Sequence, residues 1–236
     1  MKVIILCGGK GTRAYPFTEY LPKPMLPVDG TPILVQVMRL FAAQGIQDFV
    51  LSVGHRKEVI EDYFHGKRTE WNIEIVDTGP ETNTGGRILG CRDVVGETFM
   101  ATYADGLSNV PLAKLVDFHR THAGLVTITT VPLRSQYGTL VTDESGRVLS
   151  FREKPVLREH WINAGFFVLD RAIFDHWEGD DLEREVLPKL AGKGLVYGYR
   201  HDGFFKSMDS YKDQIEFEQL VRSGTLPWMI PSETSR

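Results

Sequence analysis

Short apolar runs rich in β-branched residues alternate with stretches that carry apolar residues at helical spacing, and this alternation limits the possible folds. Val3–Leu6 is the first such run, a glycine-rich turn follows it, and Ile33–Ala43 has the periodicity of an amphipathic helix. The pattern continues through Asp48–Val53, Lys57–Phe64 and Ile73–Val76. Such alternation predicts a doubly wound, mostly parallel α/β sheet, in which ligands bind at the carboxyl ends of the strands.

The second half of the chain contains shorter elements with clearer turn signals. Its predicted strands are Phe99–Tyr103, Val126–Val131, Thr139–Thr142, Val148–Phe151 and Gly165–Asp170. Its predicted helices are Leu112–Thr121, Leu182–Leu190 and Tyr211–Val221. Turn-forming residues join the third and fourth of these strands into a hairpin. We therefore expect a small β-rich insertion and a helical C-terminal tail. No repeat or Pro/Gly/Ser linker divides the sequence, which predicts a single domain over residues 1–236.

Net charge and cysteine content bear on the partners and the compartment. The 236 residues include 27 Lys and Arg against 31 Asp and Glu, a formal charge of −4. This balance argues against electrostatic capture by nucleic acid or by an anionic membrane. Cys7 and Cys91 are too few for a disulfide framework, and no apolar stretch approaches the roughly 20 residues that cross a bilayer. We expect a soluble, cytoplasmic protein.

A glycine-rich segment, Gly8–Arg13, directly follows the first predicted strand. Glycines at this edge of a sheet let backbone N–H groups approach phosphate oxygens, and Lys10 and Arg13 add positive charge. The segment lacks the Gly-Lys-Ser/Thr of a Walker A loop. Further along, prolines keep Pro22–Val28 extended, so that Lys23 projects from a stiff loop. A polyphosphate is the ligand that these residues favour.

A dinucleotide-binding interpretation of the same segment competes with this one. Gly9–Ala14 matches the permissive G-x-G-x-x-G/A fingerprint. However, Pro16 interrupts the helix that should follow, and the best-placed acidic residue, Asp29, lies in a Pro/Gly turn. An NAD(P)-dependent oxidoreductase is therefore the least favoured function.

The paired segments Gly8–Arg13 and Pro22–Val28 resemble the signature of the sugar-phosphate nucleotidyltransferases. Later segments resemble the glucose-1-phosphate cytidylyltransferase branch: Asp77–Gly79, Thr84–Arg87, Thr102–Gly106, Glu153–Pro155, Trp161–Phe167 and Arg200–Phe205. The resemblance runs in order from Met1 to about Trp228 and implies a Rossmann-like nucleotidyltransferase fold.

This resemblance implies the reaction of CTP with a sugar 1-phosphate, α-D-glucose 1-phosphate foremost, to give CDP-glucose and pyrophosphate with Mg²⁺ as cofactor. Attack of one phosphate oxygen on another phosphorus needs alignment and charge neutralisation more than a protein nucleophile, in agreement with the residues. The expected partners are therefore CTP and the sugar phosphate, without nucleic acid or membrane, and we expect a homo-oligomer.

Two aspartates are candidate metal ligands. Asp105 ends a predicted strand beside Gly106, and Asp209 precedes a predicted helix. Taken alone, the first could be a turn residue and the second an N-cap. The resemblance pairs both carboxylates on one Mg²⁺, a cation that prefers oxygen ligands. A zinc site is not favoured, because no Cys or acidic residue completes a set with His119 and His122.

The resemblance also assigns residues to the substrates. It implies catalytic roles for Arg13, Lys23 and Lys154 beside the two aspartates. For the sugar phosphate it implies Tyr137, Gly138, Glu153, Lys154 and Asn163. For the nucleotide it implies Leu6, Gly8, Gly9, Gly11, Thr12, Arg13, Thr84, Gly86, Arg87 and Tyr103. Base specificity should depend on Gly86 and Arg87, although an arginine at such a position can equally be a solvated surface charge.

Three positions depart from the cytidylyltransferase pattern. Ala104 and Ala164 stand where that branch has glycine, and Asn109 replaces an acid. An added methyl group near a substrate changes acceptor selection by roughly 1–3 kcal/mol. Another acceptor phosphate or another NTP is thus the nearest alternative function. A non-catalytic nucleotide-sugar-binding regulator is more distant, because such a protein should lack one of Lys23, Asp105, Lys154 or Asp209.

Overall fold

The computed structural model describes residues 1–11, 18, 20–67 and 69–230 of the chain. Its strands are β1 (Lys2–Leu6), β2 (Pro27–Val28), β3 (Thr31–Pro32), β4 (Asp48–Val53), β5 (Asn72–Asp77), β6 (Thr98–Tyr103), β7 (Gly106–Ser108), β8 (Val126–Arg134), β9 (Thr139–Thr142), β10 (Val148–Arg152), β11 (Val156–Asp170), β12 (Val196–Arg200) and β13 (Phe205–Ser207). Its α-helices are α1 (Ile33–Ala42), α2 (Lys57–Phe64), α3 (Thr84–Gly90), α4 (Leu112–His119), α5 (Leu187–Gly192) and α6 (Tyr211–Arg222). Shorter helical turns occur at Lys23–Met25, Arg171–His176 and Leu182–Val186, the last with π-helical hydrogen bonding.

Seven strands form one sheet in the order β12-β8-β11-β6-β1-β4-β5. Parallel pairs join β1 to β4 and β6, β4 to β5, and β12 to β8. Among the described strands of this sheet, β11 alone is antiparallel to its neighbours, β6 and β8. Apolar helix faces pack on both sides of the sheet. The predicted doubly wound, mostly parallel α/β fold is therefore confirmed.

Strand β1 separates two apolar cores because its side chains alternate between the two faces of the sheet. Val3 and Ile5 face the core that contains Phe41 of α1. Ile4 faces the core that contains Ile88 of α3. All three strand side chains are fully buried, which stabilises the fold by about 1.5–3 kcal/mol for each. A strand buried on both faces reads as a continuous apolar run, and this explains why the sequence predicts β1 so clearly.

The middle and the end of the chain differ in how well they were predicted. Strands β9 and β10 pair antiparallel as the expected hairpin, in a two-stranded sheet of their own. The predicted helical C-terminal tail contains α5 and α6 but also a strand that the sequence does not predict, because Val196–Arg200 joins the main sheet as β12 beside β8. Val196, Tyr197 and Tyr199 in this segment are residue types that suit a strand, and β8 offers the unpaired edge that it joins.

A short ladder connects the middle of the chain to its end. Strand β7 pairs antiparallel with β13, matching Gly106 with Ser207. The backbone N–H of Met208 then donates to the carbonyl of Asp105 at 2.9 Å. The ladder thus places Asp105 and Asp209 close together near the carboxyl end of β6.

Across the described ranges, no helix combines the length and the apolar character that a membrane span requires.

Candidate active site

Two adjoining cavities open at the carboxyl ends of β1 and β6. Their volumes are about 320 Å³ and 460 Å³. The walls of the first cavity include Leu6, Gly9, Gly11, Lys23 and Arg87. The walls of the second include Asn163, Ala164, Glu183, Ser207 and Asp209. Thr84, Tyr103 and Asp105 line both cavities, so that the two form one continuous cleft.

Lys23 lies between the two predicted metal ligands. Its Nζ is 2.5 Å from Oδ2 of Asp105 and 2.9 Å from Oδ1 of Asp209. Burial by itself would lower the pKa of Lys23, but the charges and hydrogen bonds of both carboxylates outweigh burial and raise this pKa above its ordinary value. Lys23 is therefore a protonated cation at neutral pH, placed where the cavities meet.

Local structure positions each of these three groups. Lys23 begins a short helical turn whose second residue is Pro24, and the fixed φ of proline suits the first turn of a helix. The hydroxyl of Ser207 donates to Oδ2 of Asp209 at 2.8 Å. The residue that caps α6 is Ser210, whose side chain accepts from the third helical N–H in a capping box. Asp209 is therefore not required as the helix cap.

The carboxylates of Asp105 and Asp209 fit a Mg²⁺ ion. One oxygen of each lies beside the same lysine nitrogen, so both can approach a single cation. Carboxylate oxygens are the ligands that Mg²⁺ prefers, and the ion commonly takes one or two of them and completes its shell with water and substrate phosphate. No group of three or more His, Cys, Asp and Glu residues forms a metal cluster in the described chain. A two-carboxylate site therefore suits an ion that is shared with a bound phosphate.

Arg87 is a buried anchor for the glycine-rich segment. Its side chain is only 3% exposed, so it is not a solvated surface charge. Nη2 donates to the carbonyl of Gly8 at 2.8 Å, and Nη1 donates to Oγ1 of Thr78 at 2.9 Å and to the carbonyl of Val53 at 3.2 Å. These bonds tie the glycine-rich segment to the end of β4. Arg87 also lines the first cavity. Its role in base specificity stays a prediction, since these hydrogen bonds do not test it.

The glycine-rich segment passes close to Lys23. Gly11 has a φ of +61°, and a Cβ at this position would lie 2.8 Å from Cβ of Lys23. Glycine therefore permits both the left-handed backbone and the close approach. Lys10 makes an exposed ion pair with Glu81 at 2.8 Å. The predicted phosphate ligands Thr12 and Arg13 lie outside the described residues.

Tyr103 and Glu183 form the wall between the two cavities. The Tyr103 hydroxyl donates to Oε1 of Glu183, and Nδ2 of Asn163 donates to that hydroxyl at 3.2 Å. Oγ1 of Thr84 donates to Oε2 of Glu183 at 2.7 Å. Burial foremost, and then the charge of Glu183, raise the pKa of Tyr103 well above its ordinary value. The sequence predicts Thr84, Tyr103 and Asn163 as site residues but not Glu183, because nothing in its spacing sets it apart from the acidic residues around it.

Close packing explains the glycines at the start of α3. A Cβ on Gly86 would lie 2.0 Å from Oδ1 of Asp180. The carbonyl of Asp180 accepts from the N–H of Gly86 at 2.9 Å, and its carboxylate accepts from the N–H of Asn83 at 3.0 Å. Gly86 is therefore required where the segment before α5 packs against α3. These contacts do not test the predicted role of Gly86 in base specificity.

The remaining predicted sugar-phosphate residues gather at the base of the β9–β10 hairpin. Nζ of Lys154 lies 3.9 Å from Oε1 of Glu153, and a Cβ on Gly138 would lie 3.1 Å from Oε2 of Glu153. Tyr137 is 77% exposed. None of these four residues is among the walls of the two cavities, whereas Asn163 is. The structure thus brings the four together but leaves their assignment to the acceptor a prediction.

The three departures from the cytidylyltransferase pattern fall in different surroundings. Ala104 lines the first cavity and Ala164 the second. Asn109 instead serves the fold: its Oδ1 accepts from the N–H of Phe204 at 2.7 Å and lies 2.9 Å from Nε2 of His201. The two alanines, and not Asn109, are therefore placed to affect ligand choice.

Comparison with known proteins agrees with this geometry. A family model described as nucleotidyl transferase matches residues 2–201. The chain is 37% identical over 255 residues to a "probable glucose-1-phosphate cytidylyltransferase" of Bacillus subtilis, with 98% of this chain and 100% of that protein covered. It is 36% identical over 239 residues to a mannose-1-phosphate guanylyltransferase of Mycobacterium tuberculosis, with 95% and 65% covered.

A solved structure supports the fold independently. HddC from Yersinia pseudotuberculosis matches with a TM-score of 0.73 at 23% identity, over 93% of this chain and 99% of that one. The family model spans most of the sequence, and the relative from Bacillus subtilis covers nearly all of it. The chain therefore belongs to the nucleotidyl transferase family.

Proposed function

We propose that this nucleotidyltransferase transfers a cytidylyl group from CTP to α-D-glucose 1-phosphate and releases pyrophosphate, with Mg²⁺ as cofactor. The observation that carries the proposal is the convergence of Lys23, Asp105 and Asp209 where two cavities meet. The choice of CTP and glucose 1-phosphate rests on the relative from Bacillus subtilis, which covers the full length. The guanylyltransferase relative makes the base the first point to test.

The cleft suggests a division of labour between its two cavities. The first, whose wall includes Gly9 and Gly11 of the glycine-rich segment, receives the triphosphate. The second receives the acceptor, whose phosphate oxygen attacks the α-phosphorus while the bond to pyrophosphate breaks. Lys23 stays protonated between them and neutralises charge on the phosphates, and bound Mg²⁺ would add further charge neutralisation from Asp105 and Asp209. The residues thus align two anions without forming a covalent intermediate.

Pyrophosphate release tests the proposal directly. CTP, UTP, dTTP, GTP and ATP are each incubated with glucose 1-phosphate and Mg²⁺, and then with other sugar and non-sugar phosphates. The highest kcat/KM is expected for CTP with glucose 1-phosphate. Preference for another NTP with the same acceptor would overturn the base assignment and keep the chemistry.

A different acceptor is the second candidate function, and a specific observation favours testing it. The methyl groups of Ala104 and Ala164 line the cleft, one in each cavity. Turnover of CTP with another phosphate, together with improved use of glucose 1-phosphate by Ala164→Gly, would assign acceptor choice to the second cavity. Silence with every pair in folded protein would instead favour a nucleotide-sugar-binding regulator.

A further inference from the structure

The carboxylate of Glu183 stands apart from the other acidic groups of the cleft. Asp105 and Asp209 are both paired with Lys23. Glu183 receives hydrogen bonds from the neutral hydroxyls of Tyr103 and Thr84. Among the residues that the structure describes, no Lys, Arg or His side chain forms an ion pair with it. Its negative charge is therefore not balanced within the described part of the cleft.

Glu183 faces the second cavity and not the first. It lines the cavity that also contains Asn163, Ala164 and Asp209, and it is absent from the walls formed by the glycine-rich segment. An ionised carboxylate only accepts hydrogen bonds, and its two oxygens offer about four lone-pair sites. The hydroxyls of Tyr103 and Thr84 use one site on each oxygen, so further sites remain for a ligand.

The groups beside Glu183 leave its carboxylate able to accept hydrogen bonds from a ligand but not to donate them. The Tyr103 hydroxyl accepts from Nδ2 of Asn163 and directs its one hydrogen at Oε1 of Glu183. Leu182 donates its N–H to Oγ1 of Thr84 at 3.0 Å, which leaves the Thr84 hydrogen directed at Glu183. A ligand that meets Glu183 must therefore bring its own donors, such as hydroxyl or ammonium groups.

We infer that Glu183 is a specificity-determining residue for the acceptor: it accepts hydrogen bonds from hydroxyl or ammonium groups and rejects phosphates that carry a second anion at their far end. The inference rests on the proposed function, since it takes the second cavity as the acceptor site. The substrate class is narrowed to phosphates of neutral or amino sugars. Phosphates of uronic acids are excluded, because two carboxylates that face each other across the second cavity repel.

Binding of matched sugar phosphates tests the inference without requiring turnover. Isothermal titration calorimetry compares glucose 1-phosphate, glucosamine 1-phosphate and glucuronic acid 1-phosphate, with and without a non-hydrolysable CTP analogue. Wild-type protein should bind the glucuronic acid compound at least about 10-fold more weakly than the glucose compound, and Glu183→Gln should reduce this ratio to about 1–2.

Three variants separate charge from structure. Tyr103→Phe removes the hydroxyl but keeps the carboxylate, so the glucose-to-glucuronate ratio should persist even if both affinities fall. Glu183→Asp retains the charge and should also retain the ratio, which covers the case in which Glu183→Gln folds poorly. Glu178→Gln removes an exposed carboxylate that pairs with Lys193 outside the cleft, and it should leave all affinities unchanged.

Each contrary result is informative. Equal binding of the two sugar phosphates by wild-type protein, or an unchanged ratio in folded Glu183→Gln, overturns the role of Glu183. Failure of all three phosphates to bind, with or without the CTP analogue, also overturns it. Selective binding that Glu183 controls, without pyrophosphate release from CTP, supports the inference and refutes only the proposed reaction.

Discussion

Gly8 provides the sharpest test of how the glycine-rich segment is held. A Cβ at this position would lie 1.9 Å from Nη1 and 2.3 Å from Cζ of Arg87, distances that no relaxed structure allows. Gly8→Ala must therefore displace the buried guanidinium and break its bonds to Gly8, Val53 and Thr78. The neighbouring Gly9 offers a matched control, because a Cβ there meets no atom within 4 Å.

The size of the effect follows from these three bonds. Hydrogen bonds to a charged group contribute about 1.5–3 kcal/mol each when measured by deletion. Here the carbonyls keep other partners, because His55 donates its N–H to Gly8 at 3.0 Å and Thr78 donates its N–H to Val53 at 3.0 Å. The loss should thus fall below the full sum, at about 2–4 kcal/mol of unfolding free energy. Gly9→Ala should change it by less than about 1 kcal/mol.

Urea unfolding followed by tryptophan fluorescence measures both variants. A second substitution, Arg87→Met, completes a double-mutant cycle: once the guanidinium is gone, Gly8→Ala should lose most of its cost. A coupling energy of about 2 kcal/mol is expected. If Gly8→Ala is as mild as Gly9→Ala, or if its cost is unchanged beside Arg87→Met, then the guanidinium does not anchor this segment.

Other side chains test the metal pair, the acceptor phosphate and acid stability. Asp105→Asn should lower Mg²⁺-dependent pyrophosphate release at least about 100-fold in protein whose circular dichroism shows the native fold, and near-normal turnover would contradict the metal assignment. Lys154→Ala should raise KM for the acceptor about 10-fold and leave KM for the NTP unchanged, as steady-state kinetics with both substrates varied would show. Burial, and then the charge of His119, lower the pKa of His122. The unfolded chain therefore binds this proton more readily, and stability should fall as the pH drops below about 6.5. Urea midpoints across this range should fall less for His122→Asn, and equal slopes would exclude the contribution of His122.

The elements that the sequence predicts well are those whose signal is local. Asp48–Val53 and Lys57–Phe64 have the predicted boundaries, because an apolar run and a helical stripe end at clear polar or glycine residues. Glycines and a lysine after a first strand also carry a direct physical meaning, so the sequence identifies the glycine-rich segment and Lys23 as candidates for a phosphate site. The structure places Lys23 between Asp105 and Asp209, and the roles of these residues toward phosphate and metal stay predictions.

The elements that the sequence does not predict depend on distant partners. Helix α3 is only seven residues long and carries three glycines that disfavour a helix, yet Asp180 packs against Gly86 and holds the segment in place. Strand β12 depends on the open edge of β8. Glu183 acquires its position from contacts with Tyr103 and Thr84, which lie far away in sequence. Tertiary packing, and not local pattern, decides all three.

Because β7 pairs with β13, Asp105 and Asp209 come together only in a chain that extends through the β13 region. During synthesis the polypeptide completes the glycine-rich segment, Lys23 and Asp105 early, but Asp209 emerges only after β13. A polypeptide that ends before the β13 region therefore lacks the second carboxylate of the pair.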